Sequence, residues 1–454
     1  MAPHHSSIPI IQTEEEFKQF VENFYQDKKK PKSFGICRAE LSRIDTNSDF
    51  KKVLSVNFPV LNFEQNFGSF AVFATAASLQ QFDNNELIVD IDAAFVMRAF
   101  CLFYPFIIKE LELYEEVKQG EVVLQKFKNL CEKFSTDPYS IKTADVLFTD
   151  SKVHKYIGVK HQNIQIIFEL LRHISDIYKG ENEFYKFQLV AYFDDLQTQS
   201  LQVAYAKLHA LSAGLAPLRS LNLDGIFGLL PNLAWCGNKP YELQYLRDNE
   251  ISLKMEGEFP CIDFIDKFPR YLMQVLPQAD NIRILDSAKT RFGAFLGAGY
   301  TQMPGASYVN FNSGTLGSCM NEGRISSSVI VGEGTDIGGG ASILGVLSGG
   351  NTTPISIGKN CLLGANSVTG ISLGDNCIVD AGATILAGSV VKIDKSEALK
   401  IAEVNKDFVI QDNGLYKGLI LSGLHGIHFR MMTQDSCLVA FRSARAISLN
   451  KDLH

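Results

Sequence analysis

The stretch Ile357-Gly-Lys-Asn-Cys-Leu-Leu-Gly-Ala-Asn-Ser-Val-Thr-Gly370 puts glycine at 358, 364 and 370, a spacing of six held twice. Upstream, the same interval or a multiple of it links Gly293, Gly299, Gly305, Gly317 and Gly323, and then Gly332 and Gly338; downstream it links Gly382 and Gly388. The residue before a glycine here is often aliphatic or small, as at Val331, Ile337, Ile357, Leu363, Leu373, Ala381 and Ala387. A fixed short period is the signature of a solenoid, and a period of six belongs to parallel β-helices. In that reading each hexapeptide supplies a short strand and a turn. The aliphatic residue points to the axis, and glycine permits a corner that a Cβ would strain. One interval of six would be chance; four blocks between 293 and 388 are not.

The period slips once. Gly338 to Gly358 is 20 residues rather than 18, with Leu347-Ser-Gly-Gly-Asn-Thr-Thr-Pro354 inside the gap. This reads as a loop projecting from one corner, either on the binding face, where solenoid insertions gather, or as a neutral surface excursion.

Upstream of Phe292 the period is absent. Ile164, Phe168, Leu171, Ile174 and Tyr178 recur at three and four and predict an amphipathic helix. Val203 to Leu215 predicts another, stopping before Pro217. Leu54 to Val60 alternates as a short strand. The predicted organisation is an N-terminal α/β domain over 1–190, an α/β connecting domain over 191–285, a β-helix over 286–393 and a C-terminal extension over 394–454. That extension begins with a lysine- and glutamate-bearing helix after Val391, and Leu419 to Leu449 follows as short strands with glycine turns.

Composition narrows the classes. The 454 residues carry 43 basic and 50 acidic side chains, net −7, with 20% charged and 46% apolar residues, the make-up of a soluble globular protein. A nucleic-acid binder needs a basic excess to displace phosphate counterions, and this chain has the opposite sign. The most apolar stretch, Phe95 to Ile108, is shorter than the roughly 20 residues a bilayer requires and is interrupted by Arg98 and Pro105. The N-terminus runs from Met-Ala-Pro-His-His to Glu14, Glu15 and Glu16 without the apolar core of a signal peptide. Nine cysteines are scattered with no C-x-x-C pair, which fits reduced thiols and predicts a cytoplasmic protein.

Histidine is missing from 210 to 424, so the coil itself holds neither a three-histidine zinc site nor a histidine general base. A proton acceptor there is a carboxylate, water or a residue from another segment. Between 290 and 393 the charges are Arg291, Glu322, Arg324, Glu333, Asp336, Lys359, Asp375, Asp380 and Lys392. Glu322 and Arg324 are two apart, so on a strand both leave the same face. The carboxylate suits proton abstraction or acyl attack, and the guanidinium suits a substrate carboxylate. An exposed ion pair worth under about 1 kcal/mol is the competing account.

Longer motifs surround that pair: Met303 to Gly317, Asn321-Glu-Gly-Arg-Ile-Ser-Ser327, Gly338 to Gly350 and Ile357 to Ser367. With Leu221 to Trp235, Asp266-Lys-Phe-Pro-Arg270, His428-Phe-Arg430 and Leu449 to His454, they resemble the tetrahydrodipicolinate N-succinyltransferase family from about residue 200 to the C-terminus. Lys32 to Arg38 and Asn66-Phe-Gly-Ser69 resemble its long form. The resemblance implies a left-handed β-helix with three hexapeptides per coil. It also implies a homotrimer with active sites between subunits, and transfer of succinyl from succinyl-CoA to the amino group of ring-opened tetrahydrodipicolinate on the diaminopimelate route to lysine. Succinyl-CoA would be a cosubstrate, with no cofactor held permanently.

Residue by residue, Glu322 falls at the family's catalytic carboxylate, which either forms an acyl-anhydride or assists direct attack by the amine. Arg324, Gly339, Ser342, Ala365, Asp380, Ala381 and Gly388 resemble positions contacting succinyl-CoA, as do Lys400 and Arg430 further on. Some members carry acidic magnesium ligands where this chain has Pro304-Gly-Ala-Ser307 and Ser287-Ala-Lys289, so no metal site is expected. The alternatives are another hexapeptide-repeat CoA-dependent acyltransferase with a different acyl donor or amine acceptor, and a non-catalytic β-helix, which has no need of Glu322 and Arg324.

Overall fold

The computed structural model describes residues 10–44, 51–82, 84–112, 129, 161–173, 177, 183–346, 353–434, 436–444 and 449. The chain forms two compact units, Met1–Ala206 with Asn222–Lys267, and Lys207–Leu221 with Phe268–His454.

In the first unit, helix α1 (Glu14–Phe24) opens with a capping box, in which Thr13 Oγ1 accepts the Glu16 N–H at 3.1 Å and Glu16 accepts the Thr13 N–H at 3.4 Å. Strands β1 (Ser33–Leu41), β2 (Val53–Asn57), β3 (Asn62–Phe63), β4 (Glu86–Asp90) and β5 (Tyr185–Tyr192) make an antiparallel sheet ordered β2-β1-β5-β4, with β3 also beside β1. Helices α2 (Phe67–Ala76), α3 (Ala93–Glu112) and α4 (Gln162–Arg172) join Phe34 and Ile36 of β1 in one core through Phe70, Phe73, Phe100 and Phe168. The apolar run Phe95–Ile108 therefore spends itself on that core. No described helix is long and apolar enough to cross a membrane. The helix expected around Ile164, Phe168 and Leu171 is α4; Ile174 and Tyr178 lie outside the described residues. The strand expected at Leu54 is β2. A small antiparallel sheet of β6 (Leu233–Cys236), β7 (Lys239–Glu242) and β8 (Phe264–Asp266) completes the unit. The helix expected at Val203 to Leu215 is α5 (Leu201–Ser212).

The second unit is a three-faced parallel solenoid. The first face stacks β10 (Phe295–Leu296), β13 (Gly314–Thr315), β16 (Ile330–Val331) and β19 (Ser356–Ile357). The second stacks β9 (Arg283–Ile284), β11 (Tyr300–Gln302), β14 (Cys319–Asn321), β17 (Thr335–Ile337), β20 (Leu362–Leu363) and β22 (Ile378–Val379). The third stacks β12 (Tyr308–Val309), β15 (Arg324–Ile325), β18 (Ser342–Ile343), β21 (Val368–Gly370) and β23 (Thr384–Leu386). Each strand is two or three residues long, and most inward side chains are aliphatic and buried, as at Val331, Ile337, Ile325, Ile343, Leu363 and Ile385, with Thr315, Asn321 and Thr369 as buried polar exceptions. This is the parallel β-helix that the glycine period predicts.

Two details differ from the simplest period. Registered neighbours on successive coils are 16 residues apart at Tyr308 and Arg324, 18 at Arg324 and Ser342, 26 at Ser342 and Val368, and 16 at Val368 and Thr384. The 16-residue coil from Val368 to Thr384 loses two residues on its way back to the first face, where Leu373 makes only an isolated bridge to Ile357. The 26-residue coil contains the excursion, whose residues 347–352 lie outside the described set. Arg219 holds its return point, donating to Ser328 O at 2.6 Å, to Ser356 Oγ at 3.0 Å and to Ile355 O.

The period glycines fill the expected corner role in two ways. Gly332, Gly338 and Gly358 do not need a left-handed φ; a Cβ on any of them would meet the backbone of the next coil at 2.5–2.8 Å. Left-handed corners fall to Gly299, Gly334, Asn360 and Asn376 on one edge, to Gly305, Gly340, Asn366 and Gly382 on another, and to Gly293, Asn312 and Ser328 on the third.

Beyond the coils, β24 (Val390–Lys392) leads to helix α6 (Lys395–Val404), as expected after Val391, and then to β25 (Leu415–Lys417). Strands β26 (Ile427–Met431) and β27 (Leu438–Arg442) form a hairpin, and β26 adds parallel to β22 with Phe429 beside Val379. The extension thereby supplies the next rung of the second face.

Candidate active site

Asn321, Ile337, Leu363, Val379 and Phe429 are in register on the second face. The residues after them, Glu322, Gly338, Gly364, Asp380 and Arg430, therefore stack along one edge where the chain turns toward the third face. The rungs are closed by Glu322 N–H to Ile337 O at 2.8 Å, Gly338 N–H to Leu363 O at 2.7 Å, Gly364 N–H to Val379 O at 2.7 Å and Asp380 N–H to Phe429 O at 3.0 Å. One position further along are Gly339, Ala365 and Ala381. At one strand spacing per rung, Glu322 and Asp380 are about 14 Å apart along the edge.

Between those two carboxylates the edge is bare backbone. Gly339, Ala365 and Ala381 are half-buried or exposed, and among the described residues none of their amide N–H groups has an acceptor. Their neighbours are held, Asn366 N–H by Gly339 O and Gly382 N–H by Ala365 O, each at 2.9 Å. This leaves a strip of amide donors on successive coils for an extended ligand.

At one end Glu322 is half-buried, and its Oε2 faces Gly339. Arg324 does not pair with it. The guanidinium donates through Nε and Nη2 to Ser342 Oγ on the next coil, at 3.1 and 2.7 Å, and no ion pair joins Glu322 to Arg324. The exposed-ion-pair account of these residues therefore fails.

At the other end Asp380 Oδ1 lies 2.7 Å from His428 Nε2, and Oδ2 accepts Arg430 Nε at 2.5 Å. Burial pulls the Asp380 carboxyl up, but the hydrogen bonds from Arg430 and His428, with their charges, outweigh it and hold the group below the ordinary carboxylate value. His428 packs on Phe441 with ring centroids 4.5 Å apart, and the Arg430 guanidinium lies 5.3 Å over the same ring.

The structure thus brings together Glu322, Arg324, Gly339, Ser342, Ala365, Asp380, Ala381 and Arg430. It does not tie in the other two. Gly388 is an exposed turn residue after β23, and Lys400 on α6 pairs with Glu397 at 2.6 Å. The solenoid charges Lys359 and Asp375 belong to a different edge, where Asp375 Oδ1 accepts the Lys359 N–H at 2.7 Å and His425 Nδ1 accepts the Asp375 N–H at 2.9 Å. Asp286, the carboxylate nearest the position of the expected missing metal ligands, accepts the Ala288 N–H at 3.0 Å. Among the described residues, no cluster of three or more histidine, cysteine, aspartate or glutamate side chains is placed to hold a metal ion.

His428 is the residue that sequence reasoning did not select. Its signal was the alternation Ile427-His-Phe-Arg-Met431, which buries Ile427 and Phe429 and sends His428 and Arg430 to one face.

The family model for the hexapeptide repeat of succinyl-transferase matches residues 354–387, so fold and sequence together define a hexapeptide-repeat protein of the transferase class. Models for the N-terminal and middle regions of tetrahydrodipicolinate N-succinyltransferase match residues 15–154 with 137–228, and 230–270. The chain is 51% identical over 446 residues to the 2,3,4,5-tetrahydropyridine-2,6-dicarboxylate N-succinyltransferase of Helicobacter pylori, covering 96% of this chain and 99% of that one. It is 43% identical over 449 residues to the protein of that name from Campylobacter jejuni, covering 98% and 100%. A crystal structure of a Campylobacter jejuni protein described as a 2,3,4,5-tetrahydropyridine-2-carboxylate N-succinyltransferase superposes with a TM-score of 0.78 at 42% identity, over 97% of this chain and 100% of that one. The chain belongs to the tetrahydrodipicolinate N-succinyltransferase family.

Proposed function

We propose that this chain transfers succinyl from succinyl-CoA to the amino group of ring-opened tetrahydrodipicolinate, 2-amino-6-oxopimelate, in lysine biosynthesis through diaminopimelate. The observation that carries the reading is the edge itself: a carboxylate, Glu322, without an ion pair among the described residues, at one end of a strip of open backbone amides, with a guanidinium at the other. Relatives of nearly the same length that bear the succinyltransferase name support it.

Glu322 is the catalytic carboxylate in either of two routes. In one, the acceptor amine adds to the thioester carbonyl, Glu322 takes its proton and CoA leaves as the thiolate. In the other, a Glu322 oxygen attacks the carbonyl, the C–S bond breaks to release CoA thiolate, and the amine attacks the resulting mixed anhydride, expelling the Glu322 carboxylate while the amine's proton passes to the thiolate. Arg324, steadied by Ser342, suits a carboxylate of the succinyl group or the acceptor. Gly339, Ala365, Ala381 and Gly388 offer backbone groups to the pantetheine amides, while Lys400 and Arg430 suit phosphates. Asp380 orients Arg430.

The same reading includes a cytoplasmic homotrimer with its sites between subunits, no resident cofactor and no metal. Exposed Leu386, Val390, Leu415 and Leu419 on neighbouring segments of the solenoid's end support an apolar contact surface. We assign catalysis to 286–393 with 394–454 completing the CoA end, bracing or regulation to 1–190, and a connecting role to 191–285. The test is thiol release from succinyl-CoA with and without the tetrahydropyridine substrate. Acceptor-dependent release is expected; its absence rejects the enzyme reading, and equal rates with acetyl-CoA reject succinyl specificity.

A further inference from the structure

We propose that His428 is a positioning residue for the phosphate end of the cosubstrate. It occupies one oxygen of Asp380, so that Arg430 meets that carboxylate through Nε alone and keeps both terminal nitrogens for a phosphate. The inference rests on the reading of Asp380 and Arg430 as CoA contacts.

An ionised carboxylate only accepts hydrogen bonds, so the 2.7 Å contact requires the imidazole to donate from Nε2. The His428 side chain is 12% exposed and that of Arg430 is 47% exposed, so the first is a buried strut and the second faces solvent. Two neighbours fix the imidazole. Ile378 is its registered partner on β22, Phe441 its partner across the hairpin, and the Phe441 ring lies 4.5 Å away.

Left to itself, a carboxylate takes a guanidinium edge-on with two parallel hydrogen bonds. Here the second oxygen is engaged by His428, and among the described residues the Arg430 side chain makes no hydrogen bond other than that from Nε. Its terminal nitrogens stay open, with the guanidinium steadied over Phe441 at 5.3 Å. Removing the imidazole frees the Asp380 oxygen to capture a second arginine nitrogen, and this withdraws the phosphate contact without touching Glu322.

Steady-state kinetics with two donors test this: succinyl-CoA, and succinyl-pantetheine, which lacks every phosphate. His428→Leu is expected to raise the KM for succinyl-CoA about tenfold, the worth of one charge-assisted hydrogen bond, at an unchanged kcat. Its KM for succinyl-pantetheine is expected to match that of the unsubstituted protein. His428→Gln, whose amide reaches the same oxygen, is expected to restore the succinyl-CoA KM, and adding His428→Leu to Arg430→Ala should raise it no further. Equal KM increases for both donors would mean a purely structural role and overturn the proposal. So would a rise in Arg430→Ala with none in His428→Leu, which leaves the CoA reading standing. No rise in either variant removes the CoA reading of Arg430 and the proposal with it.

Discussion

Glu322 Oε2 lies 3.4 Å from the point that a Cβ on Gly339 would occupy, and beyond Gly339's own chain neighbours no other atom comes within 4 Å of it. A carboxylate on one coil thus looks onto the open backbone of the next. The same edge contains a glycine of opposite character: a Cβ on Gly338 would meet Leu363 O at 2.8 Å and Ala365 N at 2.9 Å.

Gly339→Ala and Gly338→Ala should therefore separate function from folding. The first meets only ordinary contact distance and needs no left-handed φ, so its melting temperature should stay close to that of the parent while the KM for succinyl-CoA rises severalfold. The second forces two coils apart and should cost about 1–3 kcal/mol in urea unfolding. Equal stability of the two variants would show that the coils are not stacked as described.

Glu322→Gln keeps the shape of the side chain and removes its basicity and nucleophilicity. Turnover measured by thiol release should fall by about 10²–10⁴ with the elution volume on gel filtration unchanged. Near-normal turnover would take this residue out of the mechanism. Rapid quench of the parent enzyme with succinyl-CoA alone, followed by peptide mass analysis, chooses the route: a succinyl group on Glu322 identifies the anhydride.

Arg324→Lys loses the planar fork that lets Nε and Nη2 reach Ser342 Oγ together. The expected result is a KM increase of about tenfold for either donor or acceptor. Ser342→Ala should produce part of the same defect, and the double variant less than the product of the two. Independent effects would show that the Arg324–Ser342 contact does not matter to substrate binding.

His209, in the last turn of α5, has its pKa lowered to about 4 by burial. The unfolded chain binds a proton at this residue near pH 6.5 and the folded chain does not until about pH 4. Stability from this group is complete above pH 6.5 and declines as pH falls toward 4, by up to about 3 kcal/mol. Denaturant unfolding at pH 7 and pH 4.5 should show a smaller acid loss in His209→Phe than in the parent. An identical loss in both would exclude His209 as a source of acid sensitivity.

The candidate site was legible in parts. Glu322 and Arg324 stood out because an interior of Val, Ile and Leu leaves few reasons for charge on a coil; the expectation that both leave one face of a strand did not hold, because Glu322 lies in the turn after β14 and Arg324 opens β15 on the third face. Their relation to each other was not legible: an ion pair and a substrate pair share the same spacing, and only the hydrogen bonds to Ser342 separate them. His428 was hidden because β26 begins 35 residues after the end of β24, with α6 and β25 between. Nothing local says that it rejoins the second face beside Ile378.

The sequence alone determined that residues 293–388 wind as a β-helix, because a repeating small or aliphatic residue before glycine can be satisfied only by an axis that is buried all round. It also determined that any chemistry on the coil falls to carboxylates and arginine, because histidine is missing there. Only the tertiary structure decided which of those groups meet. Residues 322, 339, 365, 380 and 430 share an edge because coils of 16 and 26 residues are nevertheless brought into hydrogen-bond register, the surplus length of the longer one leaving at a single corner. Register is a property of backbone pairing between coils, and a side-chain period states only which way each residue faces.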